Sequence, residues 1–241
     1  MAATCGTSRR FYNPLLNMQP PACIGIILDG NRRWAKAKDL HSLQGHRQGA
    51  ETLKTVVRAA QELGIKHMAV YAFSTENWGR AREEVTYLMG LIKEGMEKHF
   101  TELAQEGVRI RVVGDRARFG EDIRSVFDKV DADTSHNSKI TLWLCLSYGS
   151  KAEIVDAARK VAAAGGEVTE ESLRAHMWSA EMPDPDIIIR TGGEQRLSNF
   201  LLWQGAYSEL FFVDKLWPDF GKEDLEKVLA EYAVRERRYG K

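Results

Sequence analysis

The stretch CIGIILDGNRRW, residues Cys23–Trp34, changes abruptly from apolar to polar residues. Its first half, Cys23–Leu28, is a short apolar run of the kind that forms a buried strand. The polar half, Asp29–Trp34, leads directly into a helical pattern. A strand that passes through a short turn into a helix is the building unit of α/β proteins with parallel sheets. The stretch therefore predicts the first unit of an α/β fold.

The rest of the chain repeats this alternation of short strands and amphipathic helices. The further predicted strands are His67–Phe73, Val108–Val113, Ile140–Leu146, Asp186–Arg190 and Glu209–Val213. The predicted helices are Gln48–Leu63, Glu83–Ala104, Arg118–Val130, Lys151–Ala164 and Glu170–His176. This order predicts a single α/β domain with a central, mostly parallel six-stranded sheet flanked by helices. No repeat or linker divides the chain, so we expect one domain at 23–241 after a flexible lead-in at 1–22.

Composition and charge disfavour several classes of function. Lys and Arg together number 34, as do Asp and Glu, so the 241-residue chain has no global basic field for nucleic acid. No apolar run reaches the roughly 18–20 residues of a membrane span. Cys5, Cys23 and Cys145 are widely spaced and lack a CxxC pair, which argues against disulfides or zinc. We expect a soluble protein of the reducing cytoplasm.

The first candidate site is the polar segment after the first strand. Ligands of open α/β sheets bind beyond the carboxyl ends of the strands, where helix amino termini offer free amide donors. Gly30 would let the backbone approach a phosphate, Arg33 could neutralise its charge, and Asp29 could hold a divalent cation. An isolated DGN can also be a simple turn in which Asp29 and Asn31 only cap the helix.

Three further polar clusters are candidates. Residues Ser74–Arg80 could contact a diphosphate and cover an apolar ligand with Trp78, or form a polar loop with the tryptophan packed beneath it. Residues Arg190–Asn199 place two arginines and a serine on a glycine-bearing loop, which suits a second phosphate or a solvated surface. Glu209 could be a metal ligand or a charge at a strand edge.

Seven ordered motifs together give the chain a likeness to a known family. They are DGNRRWA (Asp29–Ala35), Gly45-His46, YAFSTENWGR (Tyr71–Arg80), IIIRTGGEQRLSNFLLWQ (Ile187–Gln204), AYSELFF (Ala206–Phe212), LWPDF (Leu216–Phe220) and RERRYG (Arg235–Gly240). Together they resemble the undecaprenyl diphosphate synthase, or cis-prenyltransferase, family. The resemblance implies Mg²⁺-dependent condensation of isopentenyl diphosphate with an allylic prenyl diphosphate, such as farnesyl diphosphate, to a product such as undecaprenyl diphosphate. It also implies a cytoplasmic homodimer that contacts the membrane peripherally through its lipid product.

The same resemblance implies roles for individual residues. Asp29 and Asn77 would be catalytic, and Asp29 and Glu209 would bind Mg²⁺. The residues implied to bind substrate are Gly30, Asn31, Arg32, Arg33, Trp34, His46, Ser74, Glu76, Trp78, Arg80, Arg190, Arg196, Ser198, Arg238 and Gly240. The segment around Gly30 and His46 would hold the allylic diphosphate, and the loop after the second strand would close over it. The two arginines and the serine after the fifth strand would hold isopentenyl diphosphate, and the carboxyl-terminal tail would reach the neighbouring subunit.

An apolar tunnel for the growing chain is also implied by the resemblance. Its expected walls are the helix Glu83–Ala104 and the strands His67–Phe73 and Ile140–Leu146, although the same side chains could be ordinary core. Ser42 stands where many members carry an arginine, whose contact His41 or Lys38 could supply. A second departure is Ser147-Tyr148-Gly149-Ser150-Lys151, where NYGGR is usual.

Alternative functions stay open at this point. A short-chain Z-prenyl diphosphate synthase and a non-catalytic partner subunit are both compatible with the resemblance. A silent subunit would be expected to lose several of Asp29, Asn77, Arg190, Arg196 and Ser198, all of which are present. A nucleotide-binding protein is disfavoured because neither GxGxxG nor GxxxxGK[ST] follows the first strand.

Overall fold

The computed structural model describes residues 19–235. Arg238 and Gly240, together with most of the predicted lead-in, lie outside the described residues. The strands are β1 (Cys23–Ile27), β2 (His67–Ser74), β3 (Val108–Val113), β4 (Ile140–Tyr148), β5 (Ile187–Thr191) and β6 (Glu209–Val213). The α-helices are α1 (Asn31–Ala37), α2 (Ser42–Glu62), α3 (Arg82–Glu94), α4 (Phe100–Gln105), α5 (Glu121–Thr134), α6 (Ser150–Ala163), α7 (Glu170–His176) and α8 (Lys222–Ala233).

The six strands form one sheet in the order β3-β4-β2-β1-β5-β6, and every neighbouring pair is parallel. The predicted α/β fold is therefore confirmed. The chain adds β2, β3 and β4 on one side of β1, with β4 between β2 and β3, and then adds β5 and β6 on the other side. Ile27 and Arg190 are paired at the carboxyl ends of β1 and β5. Ligands of such sheets bind where the strand order reverses, which places the first and third candidate clusters at that point.

Helices cover both faces of the sheet, so the strands are buried on both sides. All nine residues of β4 are buried. One face packs against an apolar stripe of α2 that includes Leu53, Val56 and Val57, and the other carries a cluster that includes Trp143 and Phe200. None of the helices within residues 19–235 is long and apolar enough to cross a membrane. Cys23 and Cys145 are buried free thiols.

Three helices differ most from the predictions. The predicted helix 83–104 is interrupted by a π-helical turn at Gly95–His99, which the apolar spacing does not reveal because Met96 and Phe100 remain on one buried face. Helix α2 begins at Ser42, six residues before the predicted start, so that His46 lies on its first turns. Helix α8 was not predicted, although its buried Leu225, Val228 and Leu229 have helical spacing.

Candidate active site

Asp29 lies directly after β1, with its carboxylate between two guanidinium groups. Its Oδ2 is 2.9 Å from Arg190 Nη2, and its Oδ1 is 3.1 Å from Arg33 Nη2. The Thr191 hydroxyl accepts a bond from the Asp29 N–H at 3.0 Å and donates one to the Asp29 carbonyl at 2.7 Å. The N-cap of α1 is Gly30, without a side-chain cap bond. The interpretation in which Asp29 only caps the helix is therefore wrong.

Two glycines allow Arg33 to reach this position. Gly30 has φ of 118° and Gly192 has φ of 84°, both in the region that disfavours L side chains. A Cβ at Gly30 would lie 2.9 Å from the Leu216 side chain, and one at Gly192 would clash with Arg33 Nη2. The Arg33 Nη1 donates to the Gly192 carbonyl at 2.7 Å. The guanidinium group is thus seated between the turn after β1 and the loop after β5.

Arg190 is a buried arginine at the end of β5, only 5% exposed. Its Nη1 donates to Ser198 Oγ at 2.8 Å and to the Arg196 carbonyl. Its buried Nε has no hydrogen-bond partner among the described residues. A buried charged group with an unused donor is costly, so an incoming anion would relieve this position. Arg196, unlike Arg190, has an exposed side chain that pairs with Glu194. It lines a cleft beside the end of β5.

The loop after β2 is a short 3₁₀ turn, Thr75–Gly79, whose polar side chains line the same cleft. The residues that line it are Ser74, Glu76, Asn77 and Arg80. Trp78 does not line it. The Trp78 ring packs edge-on against Phe73 and Phe119, with centroids 5.0 and 5.4 Å apart, and its Nε1 donates to Ser147 Oγ at 2.9 Å. The prediction that Trp78 covers a ligand is not supported, and the alternative of a tryptophan packed beneath a polar loop is what the structure shows.

Glu84 is a site residue that the sequence reasoning missed. Its Oε1 is 2.9 Å from Arg80 Nη1 and 3.6 Å from His46 Nε2. Burial lowers the pKa of His46 and the nearby Arg80 lowers it further, whereas Glu84 raises it. The net shift is downward, so the imidazole is mainly neutral at pH 7. The spacing of Arg80 and Glu84, four residues apart at the start of a helix, is the signal that could have identified this residue.

Asp29, Asn31, His46, Arg80, Arg190 and Arg196 line one depression at the carboxyl edge of the sheet, which we call the polar cleft. It continues along α1 past Gly30, Arg32, Arg33, His41 and Ser42. An apolar cavity of about 120 Å³ adjoins it. Leu28, Asn31 and His46 line both the cleft and the cavity, and the buried Asn31 Oδ1 and His46 Nε2 lack hydrogen-bond partners within residues 19–235.

The apolar cavity lies where the tunnel was predicted. The side chains that line it include Leu53, Leu88, Ile92, Met96, Phe100, Leu144 and Trp217. Helix α3, the π turn, β2 and β4 supply walls as expected, whereas the wall formed by α2 was not foreseen. That this cavity receives a prenyl chain remains a prediction.

Glu209 lies at the opposite edge of the sheet from Asp29. It begins β6 and is in register with Ile187, at the amino end of β5, whereas Asp29 follows the carboxyl end of β1. The two edges are roughly 15 Å apart at about 3.3 Å per residue. Glu209 Oε2 instead pairs with Arg235 Nη1 at 2.7 Å. Within a single chain Asp29 and Glu209 are therefore too far apart to share a metal ion, and the role of Glu209 as a Mg²⁺ ligand stays a prediction. The described residues contain no cluster of three or more potential metal-binding side chains.

The neighbours of Ser42 clarify one departure from the family pattern. His41 and Ser42 both line the continuation of the polar cleft. Lys38 Nζ instead lies 4.2 Å from the centre of the Trp34 ring. Trp34 is buried and donates from Nε1 to Asp219 Oδ1 at 2.7 Å. Of the two residues proposed to replace an arginine, His41 is the one on the cleft. The predicted substrate contact of Trp34 is not supported.

Comparisons with known proteins agree with this geometry. Residues 27–240 match the prenyltransferase family model described as undecaprenyl diphosphate synthase. The chain is 46% identical over 227 residues to isoprenyl transferase 2 of Bradyrhizobium diazoefficiens, covering 91% of this chain and 90% of that protein. It is 44% identical over 228 residues to the isoprenyl transferase of Thermotoga maritima, covering 92% of this chain and 98% of that protein.

Two solved structures extend the comparison to the fold. Lavandulyl diphosphate synthase from Lavandula x intermedia, in complex with dimethylallyl diphosphate, superposes with a TM-score of 0.89 at 34% identity, covering 92% of this chain and 99% of that one. A probable undecaprenyl diphosphate synthase from Campylobacter jejuni superposes with a TM-score of 0.80 at 30% identity, covering 93% and 100%. The sequence match, the shared fold and the cluster of arginines around Asp29 lead to one conclusion: the chain belongs to the undecaprenyl diphosphate synthase family of prenyltransferases.

Proposed function

We propose that the protein condenses isopentenyl diphosphate with an allylic prenyl diphosphate to give a Z-prenyl diphosphate, and that it requires Mg²⁺. The observation that carries this proposal is the junction of two unlike environments. Arg33 and Arg190 converge on Asp29 in a polar cleft, and that cleft opens at Leu28 and His46 into an apolar cavity. A prenyl diphosphate has a charged head and a hydrocarbon tail that match these two environments.

The allylic head would bind along α1. The first-turn amide groups of a helix have no carbonyl partner within it, and the first-turn residues Asn31, Arg32 and Arg33 line this cleft. Breaking the allylic carbon–oxygen bond leaves negative charge on the departing diphosphate. Positive groups that are already in place stabilise that charge as it develops. Arg33 is held in such a position by its bond to the Gly192 carbonyl.

The residues of the cleft fit a magnesium ion that is bound mainly through substrate. Mg²⁺ in proteins is commonly held by one or two carboxylates together with substrate phosphate oxygens, and the cleft offers Asp29 in the midst of the proposed diphosphate sites. Both oxygens of Asp29 face arginines. The arriving diphosphates would offer these arginines new anionic partners and free the carboxylate. When bound, the ion would neutralise charge on the leaving group.

Isopentenyl diphosphate would bind at the end of β5. Arg190, Arg196 and Ser198 all line the cleft there, and the buried Arg190 Nε has no hydrogen-bond partner among the described residues. In the reaction its double bond attacks the allylic carbon as the bond to diphosphate breaks, and a proton is then lost. Asn77 would orient the reacting groups through its side-chain N–H, since its Oδ1 already accepts the Ser74 N–H at 3.0 Å.

The size of the apolar cavity favours a second candidate, a short-chain synthase. A cavity of about 150 Å³ lined by apolar side chains holds a molecule the size of benzene, so the 120 Å³ present here suits roughly one isoprene unit. A farnesyl starter would need the cavity to widen. One structural neighbour was solved with dimethylallyl diphosphate, a five-carbon starter. Farnesyl and dimethylallyl diphosphate are therefore the two starters to compare.

Assembly and location are proposed from the family resemblance. We propose a homodimer, which light scattering on the purified protein would detect as twice the 27.2 kDa chain mass. Within one chain Glu209 is too far from Asp29 to share an ion with it, so any role of Glu209 in a metal site would need a second copy. We also propose a cytoplasmic enzyme that meets the membrane through its lipid product, which vesicle sedimentation in the presence of product would test.

The activity is tested by incubating the purified protein with isopentenyl diphosphate and one allylic starter, followed by mass analysis. Dimethylallyl, geranyl and farnesyl diphosphates are supplied in parallel, each with Mg²⁺ or with a chelator. We expect products that grow by five-carbon units only when Mg²⁺ is present, and the preferred starter decides between the long-chain and short-chain candidates. Absence of product with all three starters would overturn the proposed function.

A further inference from the structure

The segment after Arg196 has an unusual backbone conformation. Ser198, Asn199 and Leu201 have φ of 49°, 68° and 45°, and Ser147 near the end of β4 has φ of 48°. The left-handed region costs an L-residue roughly 1–2 kcal/mol. Such residues persist where surrounding contacts hold them in place, and they are frequent at functional sites. The contacts that hold this segment in place therefore indicate the function of its conformation.

Asn199 makes most of these contacts. Its Oδ1 accepts the Lys151 N–H at 2.9 Å, and its carbonyl accepts the Ser150 N–H at 2.9 Å. On its other side, Nδ2 donates to Glu76 Oε1 at 3.0 Å. A Cβ at Gly149 would lie 2.7 Å from Asn199 Nδ2, so a glycine is needed there for the close approach. Asn199 thus joins the loop after β5 to the start of α6 and to the turn after β2.

The contact with Glu76 is one end of a continuous path to Asp29. Ser198, next to Asn199, accepts a bond from Arg190 Nη1, and Arg190 Nη2 contacts Asp29. Burial by itself would raise the pKa of Glu76, but hydrogen bonds, of which that from Asn199 is the strongest, lower it overall. Glu76 is therefore ionised at neutral pH, and a hydrogen bond to a charged acceptor is stronger than a neutral one.

We propose that Asn199 is a positioning residue that couples the two diphosphate-binding halves of the cleft. It would act through its neighbours, because both polar atoms of its side chain are already bonded within the protein. A ligand that orders the turn carrying Glu76 would strengthen the bond to Asn199 and thereby fix Ser198 and Arg190 for the second ligand. Since coupling between sites is reciprocal, each ligand should tighten the other. This inference rests on the proposed function.

Calorimetric titrations with Mg²⁺ test the coupling. Isopentenyl diphosphate is titrated into the protein alone and into protein saturated with dimethylallyl thiodiphosphate, an unreactive allylic analogue. For the wild type we expect the analogue to tighten isopentenyl diphosphate binding by roughly 5-fold or more, the lower end of typical coupling. For Asn199→Ala we expect this enhancement to disappear, and KM for isopentenyl diphosphate to rise, while the analogue alone binds as in the wild type.

Matched variants separate positioning from a structural role. Asn137→Ala removes another asparagine that bridges two segments, through carbonyls of Ala104 and Val108. This variant should lower Tm without changing the coupling.

Variants of Glu76 test the same hydrogen bond from its other end. Glu76→Ala removes the acceptor of the Asn199 Nδ2 bond, and Glu76 is exposed. It therefore tests the coupling even if Asn199→Ala folds poorly. Glu76→Gln keeps a hydrogen-bond acceptor at this position and should restore part of the coupling between the two ligands. The double variant Asn199→Ala/Glu76→Ala should lose no more coupling than either single variant.

The outcomes are distinguishable from failure of the proposed function. A wild-type protein that turns over substrate but shows no coupling would overturn the inference, as would an Asn199→Ala or Glu76→Ala variant that keeps the wild-type coupling. A wild-type protein that neither turns over nor binds the two diphosphates would overturn the proposed function instead.

Discussion

The polar cleft and the apolar cavity share a border but are built in different ways. The cleft is formed by short segments that follow strand ends, so that Asp29, Arg33 and Arg190 meet because parallel strands end at one edge. The cavity is formed by side chains from α2, α3, β2 and β4, each supplying a few apolar groups. Residue identity therefore determines the cleft, whereas the way the helices pack on the sheet determines the cavity.

The largest expected effect is on the cleft. We expect Asp29→Ala to reduce turnover by about 10³-fold or more, because it removes the one carboxylate placed between the two arginines and a loss of electrostatic stabilisation at a reacting centre is typically 10²–10³-fold or greater. Allylic diphosphate binding should be largely kept. Steady-state kinetics measures turnover, calorimetric titration measures allylic diphosphate binding, and circular dichroism checks that the variant is folded.

Asp29→Asn is the matched control, since the amide keeps the size of the side chain but not its charge. It should be nearly as inactive as the alanine variant. Near-normal turnover of either variant would show that the Asp29 charge has no part in the chemistry.

A second variant tests whether the cleft has separate binding regions for the two diphosphates. Arg196→Ala should raise KM for isopentenyl diphosphate by about 10–100-fold, since a hydrogen bond to a charged group contributes roughly 1.5–3 kcal/mol, and should affect the allylic substrate less. Arg118→Ala removes a guanidinium group that lies over Trp78, 5.2 Å from the ring centre, and should leave both constants unchanged. Equal losses for both substrates in Arg196→Ala would contradict the assignment of separate binding regions.

The cavity is tested at Ala72, which lines both the cleft and the cavity. Its side chain is exposed to this space, so Ala72→Leu should narrow the passage at little cost in stability. We expect shorter products and poorer use of farnesyl than of dimethylallyl diphosphate, with mass analysis as the measurement. Ala72→Ser, of nearly unchanged size, should behave as the wild type. An unchanged product spectrum in Ala72→Leu would show that the cavity has no influence on product length.

The smallest effect is on the pH dependence of stability. Burial lowers the pKa of His67 in the folded protein, while an unfolded histidine titrates near 6.5. Below that pH the unfolded state binds more protons, so the free energy of unfolding falls as the pH decreases. His67→Gln should lose less stability between pH 7 and 5 than the wild type, as measured by urea unfolding. A larger loss in His67→Gln than in the wild type would contradict a neutral, half-buried His67.

Sequence patterns predicted the strands well, because buried parallel strands are continuous apolar runs. Both β3 and β6 have the predicted bounds. The π turn beside Met96 and the early start of α2 at Ser42 were missed, since they depend on packing between helices rather than on local pattern.

The errors at the candidate site have a similar origin. Trp78 and Trp34 lie in polar motifs, yet both rings pack inward, on Phe119 and near Asp219. A linear motif does not tell which way an aromatic ring points. Glu209 was placed with Asp29 from the resemblance, but strand direction puts it at the other edge of the sheet. The structure brings Asp29 and Arg190 into contact, and both lie at the carboxyl end of a strand.

The central claim is that one prenyl diphosphate occupies the cleft with its head and the cavity with its tail. A structure of the protein with Mg²⁺ and an unreactive allylic thiodiphosphate tests it most directly. We predict that the diphosphate contacts Arg33 and the amide groups beside Gly30, and that the hydrocarbon passes Leu28 to lie between Leu88 and Phe100. A hydrocarbon that lies outside the cavity, on the surface of the protein, would contradict the account.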